Sequence, residues 1–331
     1  MKTTERVLEL LEKNRGKAVS GEELAGIIGV SRNAVWKAIE DLRRDGVVIY
    51  AKTKKGYFLP ESDSSLSKEG IAHLLGETKL TVDVRHTVTS TNDLLKQLAV
   101  NGTDEGYVIV AAEQTAGKGR FGRQFYSPDV SGVYMSLLLR PKMKAEDSLF
   151  ITTSAAVAVA RAIEKVSQGR ISPRIKWVND IYVNQKKVCG ILTEAAVSFE
   201  SGMLDYAVLG IGINITTPEG DFPKDIKDIA TSLFGDMEQD NIRNRLAAEL
   251  LRELEKLMLD PLAEDYLKEY KRRQLLIDRD ITVIRGDKRI FAHALGIDER
   301  ARLNVKYEDG SCEALISGEV SVKPLVPVSG D

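Results

Sequence analysis

The sequence predicts an α+β chain in three parts: a helical N-terminal module that ends in a hairpin, a central mixed α/β segment, and a small all-β C-terminal module. Three observations predict it. Apolar residues recur at helical spacing up to Leu42, helical and strand periodicities alternate from about residue 66, and short strand-like runs separated by turns fill the chain after about residue 274. The 331 residues, 43% apolar and 29% charged, supply material for two or three buried cores.

Composition also excludes some classes. No apolar run approaches the roughly 18 residues of a membrane span, and MKTTERVLELLEKNR lacks the apolar stretch of a leader, so a cytoplasmic protein with no membrane partner is expected. Cys189 and Cys312 belong to no CxxC pair, and His73, His86 and His293 are scattered, which argues against structural zinc and a disulfide framework. Charge is uneven: residues 1–60 hold 12 Lys+Arg against 8 Asp+Glu, and the remainder 35 against 41. A basic N-terminal segment hints at a nucleic-acid-binding module.

Val7, Leu8, Leu10 and Leu11 lie at helical spacing, and Ser20-Gly21-Glu22-Glu23 is a capping box that opens a second helix through Ile28. After Gly29-Val30-Ser31, the stretch from Arg32 to Arg44 puts Val35, Ala38, Ile39 and Leu42 on one stripe. Arg32, Asn33, Trp36 and Lys37 share another face, where a recognition helix needs groups able to reach base edges and phosphates. Val47–Tyr50 and Tyr57–Leu59 flank a basic tip with Lys52, Lys54 and Lys55, which completes a winged helix-turn-helix. Ser31, Arg32, Asn33, Trp36, Lys37, Lys52, Lys54 and Lys55 are therefore the candidate DNA contacts; Trp36 is equally readable as a half-buried packing residue. Residues 60–65, Pro-Glu-Ser-Asp-Ser-Ser, have the composition of a linker.

The central segment reads as a helix from Lys68 to Leu75, a strand at Val82–Val84, a helix from Asp93 to Val100 and a strand from Tyr107 to Ala112. The strand enters Gly117-Lys118-Gly119-Arg120-Phe121-Gly122-Arg123, which matches the dinucleotide fingerprint in spacing. The context excludes that reading, because Gly122 is followed by an extended segment and no acidic residue ends a second strand at the expected distance. What remains is a glycine-rich loop with three cations, suited to a phosphate or to a carboxylate becoming a mixed anhydride. Lys176-Trp177-Val178-Asn179-Asp180 leads into a hairpin that turns at Asn184-Gln185 and brings Lys176, Asn179, Asp180 and Lys187 near one another. The apolar strand Val208 to Ile215 carries Gly210, Gly212 and Asn214, a pattern of close backbone approach.

Helices near 241–258 and 262–273 precede strand-like runs at Ile281–Ile284, Ile290–Leu295, Leu303–Tyr307 and Glu313–Ile316. Such spacing suggests a small barrel. The expected domains are 1–62, 63–273 and 274–331.

Ser90-Thr91-Asn92, the loop from Gly117 to Arg123, Lys176 to Asp180, Lys187-Val188-Cys189-Gly190-Ile191-Leu192 and Gly210 to Asn214, in this order, strongly resemble the biotin protein ligases. With the winged helix-turn-helix in front, the chain resembles the bifunctional type, ligase and biotin operon repressor together. One departure is visible: Val178 stands where the family usually has proline. The resemblance implies a central ligase domain and an SH3-like C-terminal domain. It implies that biotin and ATP react to biotinyl-5′-AMP, with Mg²⁺, and that the biotinyl group passes to a lysine of a biotin carboxyl carrier protein, the biotin domain of acetyl-CoA or pyruvate carboxylase. It also implies operator DNA and a homodimer formed on adenylate or DNA binding.

On that reading Lys187 follows the biotin carboxylate and later the acyl-phosphate, and Lys118, Gly119 and Arg120 hold carboxyl and phosphate groups, with Arg123 on the departing pyrophosphate. Ser90, Thr91, Asn92 and Gln114 meet the polar head of biotin. Gly117, Gly190, Asn179 and Asn214 complete the adenylate site, Asn214 near the nucleotide. Asp180 either coordinates Mg²⁺ or orients a neighbouring lysine. No enzyme nucleophile is needed, so Cys189 is read as structural. Alternatives are a ligand-sensing repressor without ligase activity, a ligase whose first domain only packs, and a lipoate ligase.

Overall fold

The computed structural model describes residues 1–44, 46–237, 239–259 and 264–322. The first unit packs α1 (Thr3–Lys13), α2 (Gly21–Ile28) and α3 (Arg32–Arg44) around a core of their own. Ser20 accepts from the Glu23 amide at 3.0 Å and so caps α2, as its sequence foretells. Val35, Ala38, Ile39 and Leu42 are all buried, which fixes the roll of α3 and turns its polar face outward. Strands β1 (Tyr50–Lys52) and β2 (Gly56–Phe58) form the wing, antiparallel, with Leu59 sealing the core.

The segment expected to be a linker is instead tied down. The Arg15 guanidinium donates to the carbonyls of Pro60 at 2.9 Å and Asp63 at 2.8 Å and pairs with Glu12. Ser64 Oγ donates to the Gln239 carbonyl and accepts from the Ile242 amide, both at 3.2 Å. Composition alone could not reveal these partners, since each lies far off in the chain. Ser67 caps α4 (Lys68–Leu75) and also donates to the buried Glu12 at 3.1 Å, which joins the two units.

The central unit is a seven-stranded sheet of β3 (Thr81–Val88), β4 (Tyr107–Gln114), β5 (Gly132–Leu139), β6 (Arg174–Lys176), β7 (Asp180–Val183), β8 (Lys186–Val197) and β9 (Leu204–Asn214). Their order is β3-β4-β5-β9-β8-β7-β6, with only β3 and β4 parallel. Alternate residues face opposite layers: Ile109, Leu138 and Val208 pack on α5 (Thr91–Val100), while Val108, Leu137 and Leu209 join the main core. Burial on both faces explains why these strands read as nearly continuous apolar runs. The other layer holds α6 (Leu149–Val166), α7 (Ile242–Leu259) and α8 (Glu264–Arg273). Sequence periodicity passes over α6 because it is apolar on almost every side, having no stripe to detect.

The C-terminal sheet comprises β10 (Arg279–Arg285), β11 (Lys288–Ile297), β12 (Leu303–Tyr307), β13 (Cys312–Leu315) and β14 (Glu319–Val322), antiparallel in the order β13-β12-β11-β10-β14. It is the small β module expected, with an added strand, β14, that sequence reasoning missed. Its apolar residues, among them Ile281, Leu303 and Val320, are continuous with the central core. Trp177 Nε1 donates to the Ala301 carbonyl at 3.1 Å across the junction. Residues 262–263 of the expected second helix, and 323–331 of the expected last domain, lie outside the described residues.

Candidate functional site

A cavity of about 370 Å³ opens at the ends of β4, β8 and β9, under the glycine loop and beside β14. One end is a polar network. Ser90 caps α5, accepting from the Asp93 amide, so the first turn of the helix meets the sheet. Gln114 Oε1 accepts from both the amide and the hydroxyl of Thr91, at 2.9 and 3.0 Å, while its Nε2 donates to Ser127 at 3.0 Å. Asn92 Nδ2 donates to Glu194 at 2.8 Å, and its Oδ1 lies 2.6 Å from the Ser136 hydroxyl, which also reaches Thr91 at 2.7 Å. Every one of these groups is oriented before a ligand arrives.

The glycines of β9 have a steric cause. A Cβ on Gly210 would stand 2.1 Å from Asn92 Oδ1, and one on Gly212 would stand 2.5 Å from the Phe125 ring. Close approach is what these positions require.

Cations fill the other end. Lys118 pairs with Asp93 at 2.7 Å, Lys187 with Asp180 at 2.6 Å and Arg123 with Glu319 at 2.6 Å. The Lys187–Asp180 contact is an ion pair without hydrogen-bond alignment at the carboxylate oxygen. Among the described residues Arg120 pairs with no carboxylate; it donates to Asn179 Oδ1 at 3.1 Å and to the Gly318 carbonyl at 3.2 Å. Asn179 in turn is fixed by its Nδ2 on the Ile191 carbonyl at 2.6 Å. Burial lowers the pKa of Arg120. Burial also raises the Asp93 carboxyl, but hydrogen bonds from Lys118 and Lys96 outweigh it and hold the group below its ordinary range. The Cys189 thiol is wholly buried and pushed up by that burial, which suits a packing residue.

Ser90, Thr91, Asn92, Gln114, Lys118, Gly119, Arg120, Arg123, Asn179, Asp180, Lys187, Gly190 and Asn214 all line this one cavity. Gly117 does not: a Cβ there would meet the Phe125 carbonyl at 2.5 Å and Ser127 Oγ at 2.6 Å, so its place is in the folding of the loop. Asn214 Nδ2 is held by the Thr231 carbonyl at 3.2 Å. Sequence reasoning missed Ser136, Glu194 and Asp93, which hold cavity-lining groups from behind, and Glu319, which lines the cavity itself and pairs with Arg123. Asp93 and Glu194 carry the signal of ordinary surface acids, and Glu319 arrives on the unforeseen β14. Among the described residues, no group of three or more His, Cys, Asp or Glu side chains could hold a metal.

The helix-turn-helix surface is a separate site. Ser31 Oγ accepts from the Ala34 amide at 3.2 Å and opens α3. Arg32, Asn33, Lys37, Lys52, Lys54 and Lys55 are exposed, and Trp36 is 57% exposed.

Comparisons agree with this division. Residues 84–214 match the Biotin/lipoate A/B protein ligase family, residues 3–58 an HTH domain, and residues 276–323 the Biotin protein ligase C terminal domain. The bifunctional ligase/repressor BirA of Bacillus subtilis is 39% identical over 232 residues, 69% of this chain and 69% of that protein. BirA of Escherichia coli is 30% identical over 316 residues, 93% of this chain and 94% of that one. The solved biotin protein ligase from Aquifex aeolicus in complex with biotin and ATP is similar with a TM-score of 0.58 and 26% identity, covering 74% of this chain and 99% of that chain. With a helix-turn-helix, a ligase segment and a ligase C-terminal domain in one polypeptide, and relatives at these identities over most of its length, the chain belongs to the bifunctional ligase/repressor family of biotin protein ligases.

Proposed function

We propose that the cavity joins biotin to ATP as biotinyl-5′-AMP, then delivers the biotinyl group to a lysine of a biotin carboxyl carrier domain, of acetyl-CoA or pyruvate carboxylase. The family makes the chain a biotin ligase that uses ATP and a repressor; the residue roles are our reading. Ser90, Thr91, Asn92 and Gln114 bind the head of biotin. Lys187 stays with the carboxylate as it becomes an acyl-phosphate, Lys118, Gly119 and Arg120 hold the phosphate, and Arg123 meets pyrophosphate after releasing Glu319. Asn179 aims Arg120, Gly190 leaves room beside Lys187, and Asn214 lies by the nucleotide. Asp180 orients Lys187; Mg²⁺ enters with ATP, as the ion of the triphosphate. The acceptor amine then attacks the acyl carbon and AMP leaves.

The observation that carries this reading is the Lys187–Asp180 pair at 2.6 Å in the same cavity as Arg120 and the biotin-head network. Residues 1–62 form the DNA-binding domain, 63–273 the ligase domain and 274–331 the last domain. One winged helix reads one half-site, so repression needs a symmetric pair on a two-fold operator, with the adenylate as corepressor. Mass spectrometry after incubation with biotin and ATP tests the first half-reaction: bound biotinyl-5′-AMP is expected, and biotin transfer on adding a carrier domain. A chain that binds biotin and makes neither product would instead be the ligand-sensing repressor without ligase activity.

A further inference from the structure

Five cations line the cavity, and four of them, Lys118, Arg120, Arg123 and Lys187, have an oxygen partner. The fifth is Lys176, at the end of β6. Among the described residues its ammonium has no hydrogen bond and no carboxylate within ion-pair distance; it stands over the Tyr182 ring, 5.6 Å from the centroid. The pairing of β6 with β7 puts Lys176 opposite Asp180, yet that carboxylate is taken by Lys187. Burial lowers the pKa of Lys176, and the charges acting on it are, in order, those of Asp180, Lys187, Glu319 and Arg123. Lys176 thus shares the cavity wall with the Lys187–Asp180 and Arg123–Glu319 pairs. A half-buried ammonium with no carboxylate of its own in contact is costly, and such a site is built where a ligand brings the charge.

We propose that Lys176 binds the β-phosphate of ATP and holds the pyrophosphate as it leaves, making it a further catalytic residue of adenylation. This rests on the cavity being the adenylation site. In that step a biotin carboxylate oxygen forms a bond to the α-phosphorus, and the bond from the α-phosphorus to the bridging oxygen breaks. The electron pair of that bond goes to the pyrophosphate, and no proton moves. Negative charge thus grows at a point remote from the carboxylate that Lys187 holds. A cation is needed there beside Arg123, and Lys176 is uncommitted where Lys118, Arg123 and Lys187 each begin with an acid to displace. Once pyrophosphate has gone, transfer to the acceptor no longer involves the group.

The test separates the half-reactions. Lys176→Met is expected to slow single-turnover adenylation by about 100-fold, while biotin transfer from pre-made biotinyl-5′-AMP stays within about threefold of the unaltered chain. Lys176→Arg should restore much of the adenylation. A purely structural contact with Tyr182 would depress both half-reactions together, and that outcome overturns the proposal, as does unchanged adenylation in Lys176→Met. A second measurement needs no variant: acetylation of Lys176 in the full-length protein, followed by mass spectrometry, should fall about tenfold at saturating magnesium pyrophosphate. Labelling unchanged by pyrophosphate overturns the assignment. Failure of the unaltered chain to make any adenylate would instead overturn the reading of the cavity.

Discussion

The two charged regions of this molecule use cations in opposite ways. On the helix-turn-helix surface Arg32, Lys37, Lys52, Lys54 and Lys55 stand exposed, with no ion pair among the described residues. In the cavity Lys118, Arg123 and Lys187 are each already held by a carboxylate, and Arg120 is aimed by Asn179. The difference follows from the ligand. A polyanion releases counterions along its length and tolerates mobile partners, whereas an oxygen in a transition state is stabilised only by groups already in position. On the function proposed above, the acids beside the site cations act as placeholders that keep each cation in line until a more strongly anionic ligand replaces them.

The largest expected effect separates the regions completely. A chain lacking residues 1–62 should lose DNA binding while keeping adenylation and transfer, because no cavity-lining group lies in that segment. Loss of ligation in the truncated chain would show that the Glu12–Ser67 and Arg15–Asp63 contacts help to order the cavity. Next, Lys187→Ala should slow single-turnover adenylation by about 10²–10³-fold with little change in thermal midpoint. Unchanged adenylation would break the contrast on the cavity side.

A smaller effect is expected at the wing. Replacing Lys54 and Lys55 by alanine should lower the slope of log affinity against log salt by about 0.9 for each phosphate that is no longer neutralised, and leave the ligase rate alone. An unaltered slope would mean that the wing touches no phosphate. The smallest expected effect is at a placeholder. Asp93→Asn frees the half-exposed Lys118 and should change the KM for biotin or ATP by only about two- to fivefold. Because the Asp93 carboxyl is held below its ordinary value, its pairing is present above pH 3.8 and is lost only as pH falls through the lowered value. A rate difference between Asp93→Asn and the unaltered chain should thus be constant from pH 6 to pH 8.

Much of this was legible in the sequence because it depends on local rules. Ser20 caps a helix, Asn184-Gln185 turns a hairpin with both residues at positive φ, and the α3 stripe selects one face for burial. The candidate site residues were legible as motifs, and all but Gly117 line one space. What stayed hidden depends on distant partners. Pro60 to Ser65 looks like a free linker until Arg15 and Ile242 are beside it. Asp93 and Glu194 look like surface acids until the sheet brings Lys118 and Asn92 to them. Glu319 acquires meaning only when β14 crosses back to β10 and meets the glycine loop. Helix α6 is invisible to amphipathic analysis because water reaches almost none of it.

On this reading, filling the pre-ordered cavity governs the exposed DNA surface through pairing of two chains. The most direct test measures, at one protein concentration, the affinity of the full chain for a DNA site selected from a random pool by the adenylate-loaded protein. The comparison is between no ligand, biotin alone, and biotin with ATP. A gain of about tenfold or more is predicted in the third condition, with sedimentation of a dimer appearing in parallel. Equal affinity in all three, with no ligand-dependent dimer, would contradict the linkage and leave two activities that merely share a chain.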